Sequence, residues 1–161
     1  THRQSSAASD VYKRQHMGTV IETQKDTERL IENTHESVKL TLDTGHMLFA
    51  KGDSKSILQN YHERILHVHC KDIRKQVLEK SLKEDLSFRG AFLEGAFTVP
   101  GDGCIDYQPL FNVLKNNNYS GWLVVEAEQD PAKANPLEYA KIGYKYLTDT
   151  LKKSEIEIYK N

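Results

Sequence analysis

Three short segments of the chain end in residues that could bind a metal ion. They read LDTGH at 42–46, HVHCKD at 67–72 and LVVEAEQD at 123–130. Each begins as an apolar run of the kind that forms a β-strand, and alternate residues of a strand point to the same side of a sheet. This alternation places Asp43, His69 and Glu126 on one face, each at the carboxyl end of its strand. We therefore predict that these three side chains are ligands of one metal ion.

The predicted ligands limit the choice of metal. Carboxylate oxygens and an imidazole nitrogen, with no thiolate, favour hard or borderline divalent cations over soft ones. Mn²⁺ and Co²⁺ are the ions we expect, and Mg²⁺ and Zn²⁺ are the alternatives. Asp43 also has a structural interpretation, because Asp-Thr-Gly is common turn chemistry. Glu126 would be costly to bury unpaired at a strand end, and coordination to a metal removes that cost.

Other polar residues lie close to the three ligands in the sequence. Glu128 shares the face of Glu126, where it is an outer contact, an acid–base group or a solvated side chain. His67 shares the face of His69 but lies one layer deeper, so a hydrogen-bonded core histidine is the better interpretation. The polar residues after His69 either bind substrate oxygens or form a solvated loop: Lys71, Asp72, Arg74 and Lys75. Among these four, we predict a role in the site only for Lys71.

The composition excludes several classes of function. The net charge is −1 with acids and bases interspersed, which gives no electrostatic basis for binding nucleic acid. No segment approaches the roughly 20 apolar residues of a membrane span, and no signal segment is visible in the first fifteen residues. Two cysteines, Cys70 and Cys104, are too few for a disulfide framework and fit a reducing compartment. We therefore expect a cytoplasmic α/β protein.

Strands and helices alternate from residue 16 onwards. We predict strands at 16–20, 38–43, 65–70 and 121–128, and helices that begin after four capping residues: Thr23, Asp53, Asp106 and Asn135. Between residues 70 and 105 the chain is charged and weakly periodic, which predicts a long functional loop or lid. By strand alternation Cys70 packs against helices, while Trp122 and Val124 fill the inner face. Repeated strand–helix units indicate a parallel sheet.

The chain divides into three parts. Residues 1–15 share neither composition nor periodicity with the rest of the chain, and we predict that they form a non-native or disordered tail. Residues 16–152 form the folded part, and residues 153–161 form a charged tail that we expect to fray. Three and a fraction strand–helix units that start within a strand, with an inner face that turns polar at its carboxyl end, predict part of a (β/α)8 TIM barrel.

The motifs of the chain resemble those of the xylose-isomerase-like TIM barrels, a family of sugar isomerases and epimerases. LDTGH, HVHCKD, PGDGCIDY and GWLVVEAEQDPAKANP carry the resemblance, which covers residues 16–152. It implies that the chain is the C-terminal half of the barrel, about strands 5/6 to 8. Within that family, VPGDGCIDY together with VVEAEQDPAKANP is similar to the inosose dehydratase group. The family's ligands after strands six, seven and eight correspond to Asp43, His69 and Glu126. Its fifth-strand glutamate has no counterpart here, so His16 or an earlier residue takes that place.

The resemblance implies a hydro-lyase that dehydrates scyllo-inosose (2-keto-myo-inositol) to a trihydroxycyclohexane-dione. A metal bound to the ketone and its neighbouring hydroxyl stabilises the enediolate that forms when the adjacent proton is removed. A base takes that proton and an acid protonates the departing hydroxyl, and the candidates are Glu126, Glu128 and Lys71. The resemblance also implies that His46, with His16 and Lys71, binds the substrate. Simple packing in the turn is the alternative for His46.

Three other functions stay open at this point. A ketose isomerase or epimerase shares the enediolate and differs only in the next step. An abasic-site endonuclease of the same barrel group needs further histidine and aspartate ligands, and no Asp-x-His pair follows His69. A non-catalytic sugar-binding barrel would bind a polyol without metal. The partners we expect are a small polyol or cyclic ketose and other copies of the chain, with no nucleic acid and no membrane.

Half a barrel leaves two unpaired sheet edges and an open interior. We therefore expect residues 16–161, expressed alone, to dimerise, aggregate or lack activity. Light scattering coupled to size-exclusion chromatography, together with a dehydratase assay, measures this. A well-behaved monomer that turns over substrate would contradict the expectation.

Overall fold

The computed structural model describes residues 12–159 of the chain. Its strands are β1 (Tyr12–Arg14), β2 (Lys39–Asp43), β3 (Ile65–Cys70), β4 (Asp72–Ile73), β5 (Phe97–Thr98) and β6 (Trp122–Val125). Four of them form one sheet in the order β1-β2-β3-β6, and all three pairings are parallel. The carboxyl ends of these four strands therefore lie at the same edge of the sheet.

Seven α-helices are present in the described part of the chain. They are α1 (Gln24–Glu32), α2 (Thr44–Phe49), α3 (Ser54–Tyr61), α4 (Lys75–Lys83), α5 (Phe88–Leu93), α6 (Gln108–Asn116) and α7 (Pro136–Lys153). A 3-10 turn at His62–Arg64 leads from α3 into β3. Among these helices, none combines the length and the apolar composition that crossing a membrane requires.

Three of the four predicted helix starts are confirmed. Thr23 and Asp26 form a reciprocal capping box at α1. The Asp53 side chain accepts the backbone N–H of Lys55 at α3, and Asn135 accepts two backbone N–H groups at the start of α7. At α6 the prediction is wrong by one residue: Tyr107 is the N-cap, although the carboxylate of Asp106 still accepts the backbone N–H of Gln108.

The main core lies between one face of the sheet and the helices that follow its strands. The strands contribute Leu40, Leu42, Ile65 and Val68, each no more than 3% exposed. The helices contribute a matching set of apolar side chains: Ile57, Leu58, Leu110, Phe111, Val113, Leu114, Leu147 and Leu151. Cys70 belongs to this cluster, as strand alternation predicts. This packing fixes the sheet and therefore the positions of the strand ends.

The first strand differs from the prediction. The strand lies at Tyr12–Arg14, where it pairs with Lys39–Thr41, and residues 16–20 form turns instead. The backbone N–H of His16 donates to the carbonyl of Ile21, and Gly18 has a positive φ of 77°, which closes this turn. Residues 12–14 of the predicted N-terminal tail are therefore part of the sheet. Backbone hydrogen bonds pair this strand with β2, so it carries no apolar pattern that the sequence could show. The remainder of that tail, residues 1–11, lies outside the described residues.

The C-terminal segment also differs from the prediction. Helix α7 includes Lys153, and the following Ser154 is buried and hydrogen-bonded to Gln108. The backbone N–H of Ile156 donates to the carbonyl of Leu151, and the Ile156 side chain packs against the core. These hydrogen bonds and core contacts hold residues 153–156 in place. The charged composition of the segment gave no sign of them.

The connection between residues 70 and 105 is folded, which the sequence did not predict. It contains the antiparallel pair β4 and β5 and the helices α4 and α5. The fully buried residues of its helices are small, Ser81 and Ala91, and the larger apolar side chains Val77, Leu78 and Phe88 are only partly buried. A second cluster, formed by Phe49, Ile73 and Phe97 with small alanines, holds this connection beside the strand ends.

Asp72 fixes the turn at the end of this connection. Its side chain is fully buried, and Oδ1 accepts hydrogen bonds from the backbone N–H groups of Ile73, Cys104 and Ile105. Burial raises the pKa of this carboxyl group against the lowering effect of those bonds. Asp72 is therefore neither a substrate contact nor part of a solvated loop, the two roles that the sequence left open. It positions the PGDGCID segment.

Gly103 is expected to be intolerant of a side chain. A Cβ atom there would overlap the Asp72 carboxylate and lie 2.7 Å from the carbonyl oxygen of Ile73. We expect Gly103→Ala to lower the free energy of unfolding by about 2 kcal/mol or more, as overpacking does. Urea denaturation measures this. Gly90→Ala is the matched control, because a Cβ there meets only ordinary contacts; equal stability losses in both variants would contradict the assignment.

Candidate functional site

The register of the sheet brings the three predicted ligands together. Asp43 lies opposite His69, and His69 lies opposite Val124, two residues before Glu126. His69 Nδ1 is 2.7 Å from Glu126 Oε2 and 3.5 Å from Asp43 Oδ2. One ligand atom from each of the three lies within 4.8 Å of the others. We refer to Asp43, His69 and Glu126 as the first triad.

A second group of potential ligands lies beside the first triad. His16 Nε2 is 3.3 Å from Glu128 Oε1, and His46 Nε2 is 3.6 Å from Glu128 Oε2. The two imidazole rings are in contact, with their centroids 3.8 Å apart and their planes at 40°. We refer to His16, His46 and Glu128 as the second triad. His16 is therefore placed with His46 and not with the first triad, so the structure does not bring it to the position of a fourth ligand.

Lys71 lies between the two triads. Its Nζ is 3.1 Å from Asp43 Oδ2 and 3.3 Å from Glu126 Oε2 in the first triad. The same atom is 3.0 Å from His46 Nε2 and 3.5 Å from Glu128 Oε1 in the second. The side chain is fully buried. One ammonium group thus lies within 3.5 Å of three carboxylates at the ends of two strands.

Asp43 has the turn role that the sequence suggested, and its position leaves the ligand role open. It is the N-cap of α2, where Oδ1 accepts the backbone N–H of His46. Its other oxygen, Oδ2, faces Lys71 and His69. The helix cap holds the carboxylate in one orientation, and that orientation directs Oδ2 into the site. The turn interpretation and the ligand interpretation are therefore compatible.

Aromatic rings enclose His46 on the other side. The ring centroid of His46 is 5.3 Å from that of Phe97 and 5.6 Å from that of Phe88. His46 is fully buried, and burial lowers its pKa despite the nearby Glu128 carboxylate, which raises it. His46 is therefore neutral near pH 7, and its Nε2 accepts a hydrogen bond from the Lys71 ammonium. The ring packs at the inner wall of the site, as the packing interpretation expects. Contact with a substrate stays a prediction.

The charges of the site shift the pKa values of its members. Hydrogen bonds to Asp43 and Glu126 raise the pKa of His69 to about 9. Burial raises the pKa of Glu126, but the hydrogen bond to His69 and the charge of Lys71 outweigh it and hold that pKa well below its usual range. Glu128 follows the same pattern: burial opposes the shift, and His46 and Lys71 lower its pKa to about 2. Both glutamates are therefore ionised at neutral pH.

Hydrogen-bond geometry fixes the tautomer of His16. Its Nδ1 is 2.7 Å from the carbonyl oxygen of Met17, which only accepts, so Nδ1 carries a hydrogen. Its Nε2 faces Glu128 Oε1 at 3.3 Å. A neutral Nε2 and a carboxylate are both acceptors, so this contact is a hydrogen bond only when one proton is shared between them.

The atoms of the first triad fit a divalent cation. Two carboxylate oxygens and one imidazole nitrogen form a hard to borderline donor set. The three donors come from the ends of three adjacent strands, which holds them in place independently of any ligand. Asp43 is fully buried and the other two are partly exposed, so one side of the set is open to a bound molecule.

Several other predicted residues lie elsewhere. Arg74 pairs with Asp102 at 2.6 Å, and Lys75 is exposed and pairs with Glu79, so neither reaches the site. Trp122 lies opposite His67 in the sheet, on the face that strand alternation predicts, but its side chain is 67% exposed. His67 is half-buried, with its ring 5.2 Å from that of His69, so it is not a fully buried core histidine.

Four residues that build the site were not predicted from the sequence. Phe88 and Phe97 belong to the long connection, whose weak periodicity concealed them. The Thr44 hydroxyl and the Tyr107 phenol both donate to the backbone carbonyl of Lys71. Thr44 is in the LDTGH segment and Tyr107 in the PGDGCIDY segment, so a search for polar side chains within the motifs could have found both.

Chelator-treated protein is expected to keep His69 protonated well above neutral pH. The folded-state pKa of about 9 exceeds the ordinary value of 6.5, so the His69 contribution to stability is complete below pH 6.5 and is lost as the pH rises through 9. Replacement by glutamine removes this dependence. Urea denaturation of wild type and His69→Gln between pH 6 and 10 measures it.

His67 provides an internal control for that experiment. Burial, followed by the charge of His69, lowers the pKa of His67 below 6.5. In a ¹H–¹³C NMR titration, the His67 ring is therefore expected to titrate first, with His69 following near pH 9. Equal titration midpoints for the two rings would contradict this electrostatic description. The same loss of stability at alkaline pH in wild type and His69→Gln would also contradict it.

Comparison with known proteins relates the chain to two curated proteins of bacterial catabolism at about 50% identity. It is 53% identical over 135 residues to inosose dehydratase of Clostridium beijerinckii, covering 83% of this chain and 45% of that enzyme. It is 50% identical over 132 residues to the rhizopine catabolism protein MocC of Rhizobium meliloti, covering 82% of this chain and 41% of that protein. The chain thus spans a little under half the length of the curated relatives it matches.

A solved structure supports the fold. The crystal structure of the IOLI protein with a bound zinc atom superposes with a TM-score of 0.62 at 20% identity, covering 89% of this chain and 48% of that one. At this identity the likeness concerns the fold alone, and the predicted barrel fold is confirmed. The sequence profile of the xylose isomerase-like TIM barrel matches residues 12–150. The chain therefore belongs to the xylose isomerase-like TIM barrel family.

Proposed function

We propose that this chain carries the metal-binding part of an inosose dehydratase active site, acting on scyllo-inosose in the cytoplasm. The observation that supports the proposal best is the pair of adjacent triads joined by Lys71 at the strand ends. The identity of 53% to an inosose dehydratase supports it independently. Because the chain spans under half of that relative, the activity is proposed for the full-length protein that contains this sequence.

The first triad would hold the divalent metal. Asp43 Oδ2, His69 Nδ1 and Glu126 Oε2 are the donor atoms, and Mn²⁺ or Co²⁺ suits them best. The bound zinc of the IOLI protein, which has the same fold, supports a divalent metal without specifying the ion. When bound, the metal supplies a Lewis acid for the ketone oxygen of the substrate.

The reaction itself is an elimination of water. A proton leaves the carbon next to the ketone, the hydroxyl on the following carbon departs with a proton as water, and a carbon–carbon double bond forms. The remaining hydroxyl on that double bond makes it an enol, which becomes the second ketone. The protein must therefore provide a base, an acid and contacts that orient several hydroxyl groups.

The second triad and Lys71 supply these groups in our proposal. Glu128 is ionised and partly exposed, so it can accept a proton from a bound substrate. His16 Nε2 lies 3.3 Å from Glu128 Oε1, so it can take that proton on from Glu128 and pass it to the departing hydroxyl. Lys71 donates hydrogen bonds toward both triads and can orient substrate oxygens between them. The Phe88 and Phe97 rings limit the access of water to this side of the site.

A ketose isomerase or epimerase is the runner-up, because it uses the same donor set. The two differ in the fate of the β-hydroxyl, which an isomerase retains. Incubation of the full-length protein with scyllo-inosose and Mn²⁺ is expected to yield the dione, with its conjugated absorbance and a mass lower by one water. An isomeric ketose as the product would favour the runner-up. A protein that binds polyol but not metal would contradict both.

Asp43→Asn is expected to lower the full-length protein's activity at least about 100-fold, because an amide oxygen is a weaker ligand and carries no charge. Asp53→Asn is the matched control, since Asp53 also caps a helix through its side chain but lies outside the site. That variant should keep its activity. Steady-state rates at saturating Mn²⁺ measure the difference, and equal rates for the two variants would contradict the ligand assignment.

A further inference from the structure

We propose that the Lys71 ammonium is a built-in competitor of the metal, which weakens metal binding by sharing the Asp43 and Glu126 oxygens. The inference rests on the proposed metal site and concerns how that site is regulated. Its role would be to keep the metal exchangeable and the two carboxylates paired at all times.

The ammonium and the first triad use the same two oxygen atoms. Lys71 Nζ lies 3.1 Å from Asp43 Oδ2 and 3.3 Å from Glu126 Oε2. His69 Nδ1 lies 3.5 Å and 2.7 Å from those same atoms. A divalent cation bound by these oxygens would be close to the positive charge of Lys71. Two cations at such a distance repel strongly in a partly desolvated site, so the lysine must lower the affinity for metal.

The position of Lys71 is built into the fold. A lysine is almost never fully buried unless it is paired, and this one is fully buried. Its backbone N–H donates to the Thr44 hydroxyl at 3.1 Å. Its carbonyl accepts from Thr44 at 2.6 Å and from Tyr107 at 3.0 Å. The Phe97 ring centroid lies 5.6 Å from Nζ, which closes the remaining side.

The LDTGH segment provides the space for the lysine side chain. A Cβ atom at Gly45 would lie 2.7 Å from Lys71 Cγ and 2.9 Å from Cδ. These distances are too short for carbon atoms, so the path of the lysine into the site requires glycine at this position. The same turn that presents Asp43 therefore also admits the ammonium that pairs with it.

The second triad offers the ammonium other partners. His46 Nε2 lies 3.0 Å and Glu128 Oε1 lies 3.5 Å from Nζ. An ammonium that yields the Asp43 and Glu126 oxygens to a metal thus keeps an acceptor and a counter-ion within reach. Metal loading becomes an exchange of one cation for another at the first triad, with no carboxylate left unpaired at any stage.

The test measures metal affinity, because Lys71 is also a candidate for catalysis. Isothermal titration calorimetry with Mn²⁺ and with Co²⁺ is performed on the chelator-treated, full-length protein. Lys71→Met keeps the apolar stem and removes the charge, and we expect its Kd to fall about 10- to 100-fold, the range over which neighbouring groups tune metal sites. Lys71→Gln should shift the Kd in the same direction. Lys75→Met is the matched control, since Lys75 is exposed and pairs with Glu79; its Kd should not change.

Thermal unfolding separates this role from simple packing. Without metal, Lys71→Met and Lys71→Gln should have a lower Tm than wild type, because two carboxylates lose their counter-ion. With saturating Mn²⁺ the difference should shrink or reverse, whereas a packing role would lower both Tm values equally.

Each outcome decides between the proposals. If wild type binds metal and both Lys71 variants bind it equally or more weakly, the competitor role is overturned while the proposed function stands. If neither wild type nor any variant binds metal, the proposed site is wrong and the inference is lost with it. If Lys71→Met does not fold, the Lys71→Gln result decides.

Discussion

Three carboxylates can lie close together at the ends of two strands only if positive charge lies among them. Asp43 is fully buried, and Glu126 and Glu128 are partly so. The Lys71 ammonium and the protonated His69 ring supply the balancing charge. An ion pair of this kind is costly to desolvate and more costly to break, so the surrounding structure must hold every member in place. The arrangement of the site follows from this requirement.

Two features of the fold hold these charged side chains in place. The parallel register aligns Asp43 with His69 and brings Glu126 two residues beyond the same row, so the ligand atoms converge without any loop between them. The long connection then packs Phe97 against Lys71 and His46, which keeps the charges away from solvent on one side. Asp72 anchors the turn after that connection. The site is thus held by backbone pairing on one side and by a packed covering on the other.

Local patterns in the sequence predicted much of this arrangement. Strand alternation placed Asp43, His69 and Glu126 on one face, and capping chemistry located three helix starts. The contacts that the sequence did not predict depend on residues far apart in the chain. The passage of Lys71 beside Gly45 joins two strands, and the grouping of His16 with His46 joins two strand ends. Helices α4 and α5 are only nine and six residues long, and their fully buried residues, Ser81 and Ala91, are small.

Metal binding by the first triad underlies both proposals. Anomalous diffraction from crystals of the full-length protein soaked in Mn²⁺ or Co²⁺ measures it at atomic resolution. We expect one strong peak about 2.0–2.3 Å from Asp43 Oδ2, His69 Nδ1 and Glu126 Oε2, the usual range for such ligands. A peak bonded instead to the second triad would refute the assignment. The assignment would also be refuted if, at saturating metal, Lys71 were still paired with Asp43 and Glu126 and no anomalous peak lay beside these residues.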